Sequence, residues 1–113
     1  MANIYDTANQ LEGEIRELDQ FQALSDSFEE LKKNKESYEL FKQFQTFQQD
    51  LQKRMMEGEE MTDDDAQKAQ DLAMKIQKEE LINDLIQKEQ AFSTVINDMN
   101  NIIMKPLQEL YEG

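Results

Sequence analysis

The chain is 113 residues long and carries 25 acidic against 12 basic side chains, a net charge of −13, with no cysteine and no histidine. That balance repels phosphate backbones and anionic lipid surfaces, so direct binding to nucleic acid or to a membrane is disfavoured. Disulfides, thiolate or imidazole metal sites and most general acid–base devices are excluded, which leaves any catalysis to carboxylates, Lys or Tyr.

The length suits a single domain over residues 1–113, yet one short enough that long helices in a monomer would leave apolar surface uncovered. A homo-oligomer, with a dimer favoured, is therefore expected. Three glycines and one proline argue against an all-β fold and against a disordered linker. The opening Met1-Ala2-Asn3-Ile4-Tyr5-Asp6 has neither the basic nor the apolar region of a signal peptide. No window approaches the run of about eighteen apolar residues that a membrane span needs. The expectation is a cytoplasmic protein.

Ile4, Ala8, Leu11, Ile15 and Leu18 recur at helical steps, predicting an amphipathic helix over residues 3–18 whose other faces carry Asp6, Glu12, Glu14, Arg16 and Glu17. Gly13 lies inside it and marks either a close helix crossing or simple tolerance on the exposed face, a hinge being the sharper alternative. Asp19 is placed to accept from the free N–H groups of a second helix carrying Phe21, Leu24, Phe28 and Leu31. This helix should end near Asn34, which either turns left-handed or caps the next helix. Lys32, Lys33 and Lys35 suit the negative end of its dipole better than they suit a phosphate, because Glu29, Glu30 and Glu36 flank them.

From about Ser37 a third helix presents Tyr38, Phe41, Phe44, Phe47, Leu51 and Met55. Its glutamines do not make a prion-like tract, given the helical spacing and the charges of Asp50, Lys53 and Arg54. Aromatic stacking on single-stranded nucleic acid fails for want of a basic groove. Gly58 is the expected helix stop, and Thr62 with Asp65 resembles a capping box that turns the chain back as a helical hairpin. The run Asp63-Asp64-Asp65 lacks the alternating spacing of a calcium loop and reads as first-turn carboxylates.

Ala66, Ala69, Leu72, Ala73 and Ile76 predict a fourth helix, after which Lys78-Glu79-Glu80 shifts the apolar phase. Residues 62–104 are then either one bent helix or two abutting ones, and with no Gly or Pro in the interval both remain open. Ile82, Leu85, Phe92, Ile96, Met99 and Ile103 form a long packing seam interrupted by Glu89, read as a solvent-facing spot or a register-setting position before a catalytic carboxylate. Pro106 is expected to end this helix, with Leu107, Leu110 and Tyr111 adding a short turn. The fold class is all-α: a bundle of four to five helices with a long antiparallel hairpin between residues 37–57 and 62–104.

The order Tyr5-x-x-Ala8-x-x-Leu11-x-x-x-Ile15-Arg16, Phe21 with its helix, Phe44-Gln45 leading through Glu57-Gly58 to Met61-Thr62, then Leu81-Ile82 and Gln90, resembles the YlbF/YmcA family and within it the YheA-like subgroup. The resemblance spans nearly the whole chain. It implies a cytoplasmic, all-α, non-catalytic protein of Gram-positive bacteria that self-associates or pairs with paralogues. In that family YlbF and YmcA act with YaaT to steer ribonuclease Y, affecting competence, sporulation and biofilm formation. The cysteines tied to iron–sulfur binding in some relatives have no counterpart here, so that property does not transfer, and there is no family catalytic residue to carry over.

Two functions are weighed. The first is a non-catalytic regulator or scaffold acting by helix packing, with no cofactor, no metal and no direct contact with RNA. Its partners would be copies of itself, family paralogues or RNA-processing proteins. Phe41, Phe44, Phe47, Phe92, Ile96 and Met99 are the side chains expected at its interface. The second is a small-molecule or peptide-binding bundle in which the phenylalanine-rich helix lines a pocket.

Overall fold

The helix signals resolve into six α-helices in the computed structural model, which describes residues 3–113. They are α1 (Ile4–Arg16), α2 (Asp19–Lys33), α3 (Lys35–Met56), α4 (Asp63–Gln77), α5 (Glu80–Ile103) and α6 (Lys105–Glu112), and no strand occurs among the described residues. The all-α expectation holds, with the helix number at six for reasons that lie in the junctions.

Several helix ends find partners for their free polar groups in nearby side chains or turns. Asn3 Oδ1 accepts from the Tyr5 N–H at 2.8 Å and starts α1. Gln22 Nε2 donates to the Arg16 carbonyl at 2.8 Å where α1 stops. Asp19, expected as a cap, is instead the first residue of α2, where its charge faces the positive end of the dipole. Of the two roles open to Asn34, capping is the one adopted: its side chain accepts from the Ser37 N–H at 3.1 Å, so a single residue separates α2 from α3.

At the end of α3, Gly58 takes φ +94°. The Glu59 N–H then reaches the Arg54 carbonyl at 2.9 Å and the Gly58 N–H reaches that of Met55 at 3.1 Å, a Schellman turn. Thr62 and Asp65 form both halves of the capping box, at 3.1 and 3.0 Å. Residues 62–104 are two helices. The Asn83 side chain donates to the carbonyls of Ile76 at 3.3 Å and Gln77 at 3.2 Å, so the end of α4 is satisfied without glycine or proline. Pro106 does not simply end a helix; it occupies the first turn of α6, where a missing N–H has no intrahelical partner to lose. A Cβ built on Gly13 meets nothing within 4 Å, so this glycine is tolerated and not demanded by a crossing.

The chain divides into two compact units, Ser27–Leu85 and the pair of terminal segments Met1–Asp26 with Ile86–Gly113. In the Ser27–Leu85 unit, Leu31, Phe47, Leu72, Ile76, Ile82 and Leu85 are buried, Leu31 and Ile82 to 0% exposure. Burial of such side chains contributes roughly 1.5–3 kcal/mol each. Here α3 and α4 run antiparallel as a hairpin: Lys68 Nζ lies 5.4 Å from the Phe47 ring centre and Arg54 grips Asp65. Phe28 meets Tyr38 and Phe41 edge-on, with ring centres 6.2 and 6.1 Å apart. In the terminal unit, the Phe21 and Phe92 rings lie 5.6 Å apart and Leu11, Ile15 and Leu18 are half-buried, but no described residue is fully buried.

Candidate interaction surface

The six side chains singled out from the sequence are split between the two units. Phe41, Phe44 and Phe47 stand on α3 in the Ser27–Leu85 unit; Phe92, Ile96 and Met99 stand on α5 in the terminal unit. Three of them have cover within the chain: Phe47 is buried under Lys68, Phe41 packs on Phe28, and Phe92 packs on Phe21. Phe44, Ile96 and Met99 are half-buried.

The apolar side chains that lie open are others. In the terminal unit they are Ile4, Tyr5, Ile102, Ile103, Met104, Leu107, Leu110 and Tyr111, with Leu110 at 71% and Tyr111 at 81% exposure. Leu107, Leu110 and Tyr111 fall at i, i+3 and i+4 on one face of α6, and that spacing was the available signal. Reading Pro106 as a stop hides it. In the other unit Met55, Met56, Met61 and Met74 are exposed. Gln48, Leu51, Gln52, Met55 and Met56 line a groove along α3, and a second groove of about 690 Å³ is bordered by Lys42, Phe47, Asp50, Lys68 and Leu72.

A few charged groups of the Ser27–Leu85 unit fasten one helix to another. Arg54 Nη1 and Nη2 donate to Asp65 Oδ2 and Oδ1 at 3.0 and 2.7 Å, and the Thr62 N–H also donates to Oδ2. The guanidinium hydrogen bonds, with the Thr62 backbone second, hold the Asp65 carboxyl well below the usual carboxylate range. The same pairing raises Arg54 further. Both oxygens of Asp65 thus serve the hairpin, in keeping with the capping reading of Asp63-Asp64-Asp65. Two serines tie α5 and the residue before it to the unit: Ser27 Oγ donates to Asp84 at 2.7 Å and Ser37 Oγ to Glu79 at 2.6 Å. Lys32 and Lys33 pair with Glu29 and Glu30 one turn back, at 3.0 and 3.1 Å, and Glu89 is exposed. No helix among the described residues is long and apolar enough to cross a membrane.

Residues 4–108 match the family model described as control of competence regulator ComK, YlbF/YmcA. Among proteins of known sequence, the chain is 46% identical over 111 residues to a UPF0342 protein of Lactiplantibacillus plantarum, covering 98% of this chain and 97% of that one. It is 45% identical over 109 residues to a UPF0342 protein of Staphylococcus epidermidis, covering 96% of each. Among solved structures it is similar to a protein of unknown function (DUF964) from Bacillus stearothermophilus, with a TM-score of 0.84 and 30% identity over 96% of this chain and 95% of the other. It is likewise similar to yheA from Bacillus subtilis, with a TM-score of 0.74 and 32% identity over 97% and 100%.

Proposed function

This chain belongs to the YlbF/YmcA family, and from that premise we propose that it is a non-catalytic regulatory or scaffolding protein of the cytoplasm that works by laying helix faces against another protein. The observation that carries the reading is the uncovered apolar surface of the terminal unit, above all Leu107, Leu110 and Tyr111 on one face of α6. Exposed apolar groups gathered on one helix face are what a partner helix or groove covers. The family description, which links these proteins to control of the competence regulator ComK, supports a regulatory role. Paralogues and proteins of the RNA-processing machinery are the partner classes that fit, and with a net charge of −13 any contact with RNA runs through such a partner.

Affinity purification from the native cell tests this, comparing the wild-type chain with a Leu110→Glu/Tyr111→Glu variant. A protein captured by the first and lost by the second is the expected result. An electrophoretic shift of single-stranded RNA by the purified protein at physiological salt counts against the indirect role. The grooves beside Phe47 and Met55 keep the small-molecule reading as the second one, and a thermal-shift screen with hydrophobic ligands separates the two.

A further inference from the structure

We propose that the groove between α3 and α4 binds a small organic anion, its acidic head held by Lys42 and Lys68 and its apolar body lying against Phe47 and Leu72. The inference rests on the small-molecule reading given second above and adds the chemical class of the ligand; it draws nothing from α6. The groove has a volume of about 690 Å³, within the range of pockets that take small ligands, and lies wholly inside the Ser27–Leu85 unit.

Helical spacing builds its walls. Lys42, Thr46 and Asp50 follow one another at steps of four along one face of α3, with Gln43 and Phe47 in the adjacent row. Across the hairpin, Lys68 and Leu72 stand four apart on α4. The polar rim is exposed, whereas Phe47 and Leu72 beneath it are only 7% and 5% exposed. A ligand therefore meets charge first and apolar surface second.

The polar groups are nearly all of one kind. Lys42 and Lys68 are ammonium donors, and the Thr46 hydroxyl and Gln43 amide can donate as well. Asp50, the one carboxylate lining the groove among the described residues, accepts from Arg54 Nε at 3.1 Å, so its charge is countered within α3. Neither lysine stands in an ion pair among the described residues. Each ammonium lies over an aromatic ring instead: Lys42 Nζ is 5.3 Å from the Tyr38 ring centre and Lys68 Nζ 5.4 Å from that of Phe47. An exposed ammonium over a ring face is held less firmly than one in a charge-assisted hydrogen bond, so an anion can draw Lys68 off Phe47. The ring face uncovered by that movement then receives the ligand's apolar body. A chain of net charge −13 thus carries a local site of the opposite sign, which selects anions over neutral and cationic molecules of the same shape.

Amide chemical-shift titration of the full isotope-labelled chain tests the proposal with three probes. Naphthoate has both head and body, naphthamide is its neutral isostere, and acetate has the head alone. Naphthoate is expected to shift residues 42–50 and 68–72 with a dissociation constant below about 5 mM, and the other two to bind at least about tenfold more weakly. Lys42→Gln and Lys68→Gln, both at exposed positions, should each weaken naphthoate at least about fivefold. Lys75→Gln, exposed on α4 but outside the groove, should leave it unchanged. Equal binding of naphthoate and naphthamide in the groove overturns the anion class and leaves the small-molecule reading standing. Shifts confined to α6, indifference to both groove variants, or no shift in the groove with any probe up to about 20 mM overturns the site. The small-molecule reading itself falls only if the screen with hydrophobic ligands is silent as well.

Discussion

Arg54 grips both carboxylate oxygens of Asp65, at 2.7 and 3.0 Å, while the same Asp65 completes the capping box of α4 with Thr62. One carboxylate therefore joins the last turn of α3 to the first turn of α4. Planar guanidinium and planar carboxylate match in this two-point geometry, which fixes direction as well as distance. Between the two partners lies the Schellman turn at Gly58, so the hairpin is closed by three local devices acting on one connection.

Acid should open this closure. The folded-state pKa of Asp65 is lowered, chiefly by Arg54, relative to an ordinary unfolded value of about 3.9. A lowered folded value means that the group's stabilising effect is complete above the unfolded pKa and is lost as pH falls towards the folded one. The melting temperature of the wild type should drop on going from about pH 5 to pH 2 by more than that of Asp65→Asn, which lacks this titration. Parallel curves would place acid sensitivity in the other carboxylates.

Two glycines should respond to alanine with opposite signs. Neither has a neighbour within 4 Å of an added Cβ, so backbone conformation alone decides. Gly13 is helical, and Gly13→Ala should stabilise by about 0.5–1 kcal/mol. Gly58 holds φ +94°, and Gly58→Ala should destabilise by about 1–2 kcal/mol. Urea denaturation of both variants measures the pair, and a loss of stability in Gly13→Ala would mean that the helix needs its flexibility there.

The caps and helices were legible because they are local. Thr62 with Asp65, Gly58, and the steps of three and four along α1 and α3 are written within a few residues of one another. The break between α4 and α5 was not, because what satisfies the end of α4 is Asn83, beyond the gap it closes. The serine contacts were invisible for a stronger reason: Ser27 meets Asp84 across 57 positions and Ser37 meets Glu79 across 42, with no spacing rule to relate them. Periodicity likewise marks apolar stripes without saying which are covered. It ranked Phe47 and Phe92 with Ile96, although the first two have partners inside the chain, and it read Leu110 and Tyr111 only as part of a short turn.

Ser37 is therefore a test of the non-local contacts. It is 2% exposed, and its hydroxyl donates to the Glu79 carboxylate at the α4–α5 break. Ser37→Ala removes a hydrogen bond to a charged acceptor, and the expected cost is about 1.5–3 kcal/mol. Chemical denaturation gives the value. An exposed change such as Gln70→Ala should stay within about 0.5 kcal/mol, and a Ser37→Ala effect no larger than that would make the contact incidental.

Salt should strengthen self-association. Two chains at −13 repel over distances that mobile ions shorten to about 8 Å at physiological ionic strength. An assembly held by apolar side chains such as Ile103, Leu107 and Leu110 offers few attractive ion pairs for the ions to weaken. Screening then removes only the opposing interaction, while burial of Ile103 and its apolar neighbours is little affected by moderate salt. The dissociation constant measured by sedimentation should fall as sodium chloride rises from about 20 to about 150 mM. A constant that rises over this range would require cross-chain ion pairs at the interface and would move it to one of the charged faces, with Lys32, Lys33 and Lys35 opposite a carboxylate cluster as the first place to look.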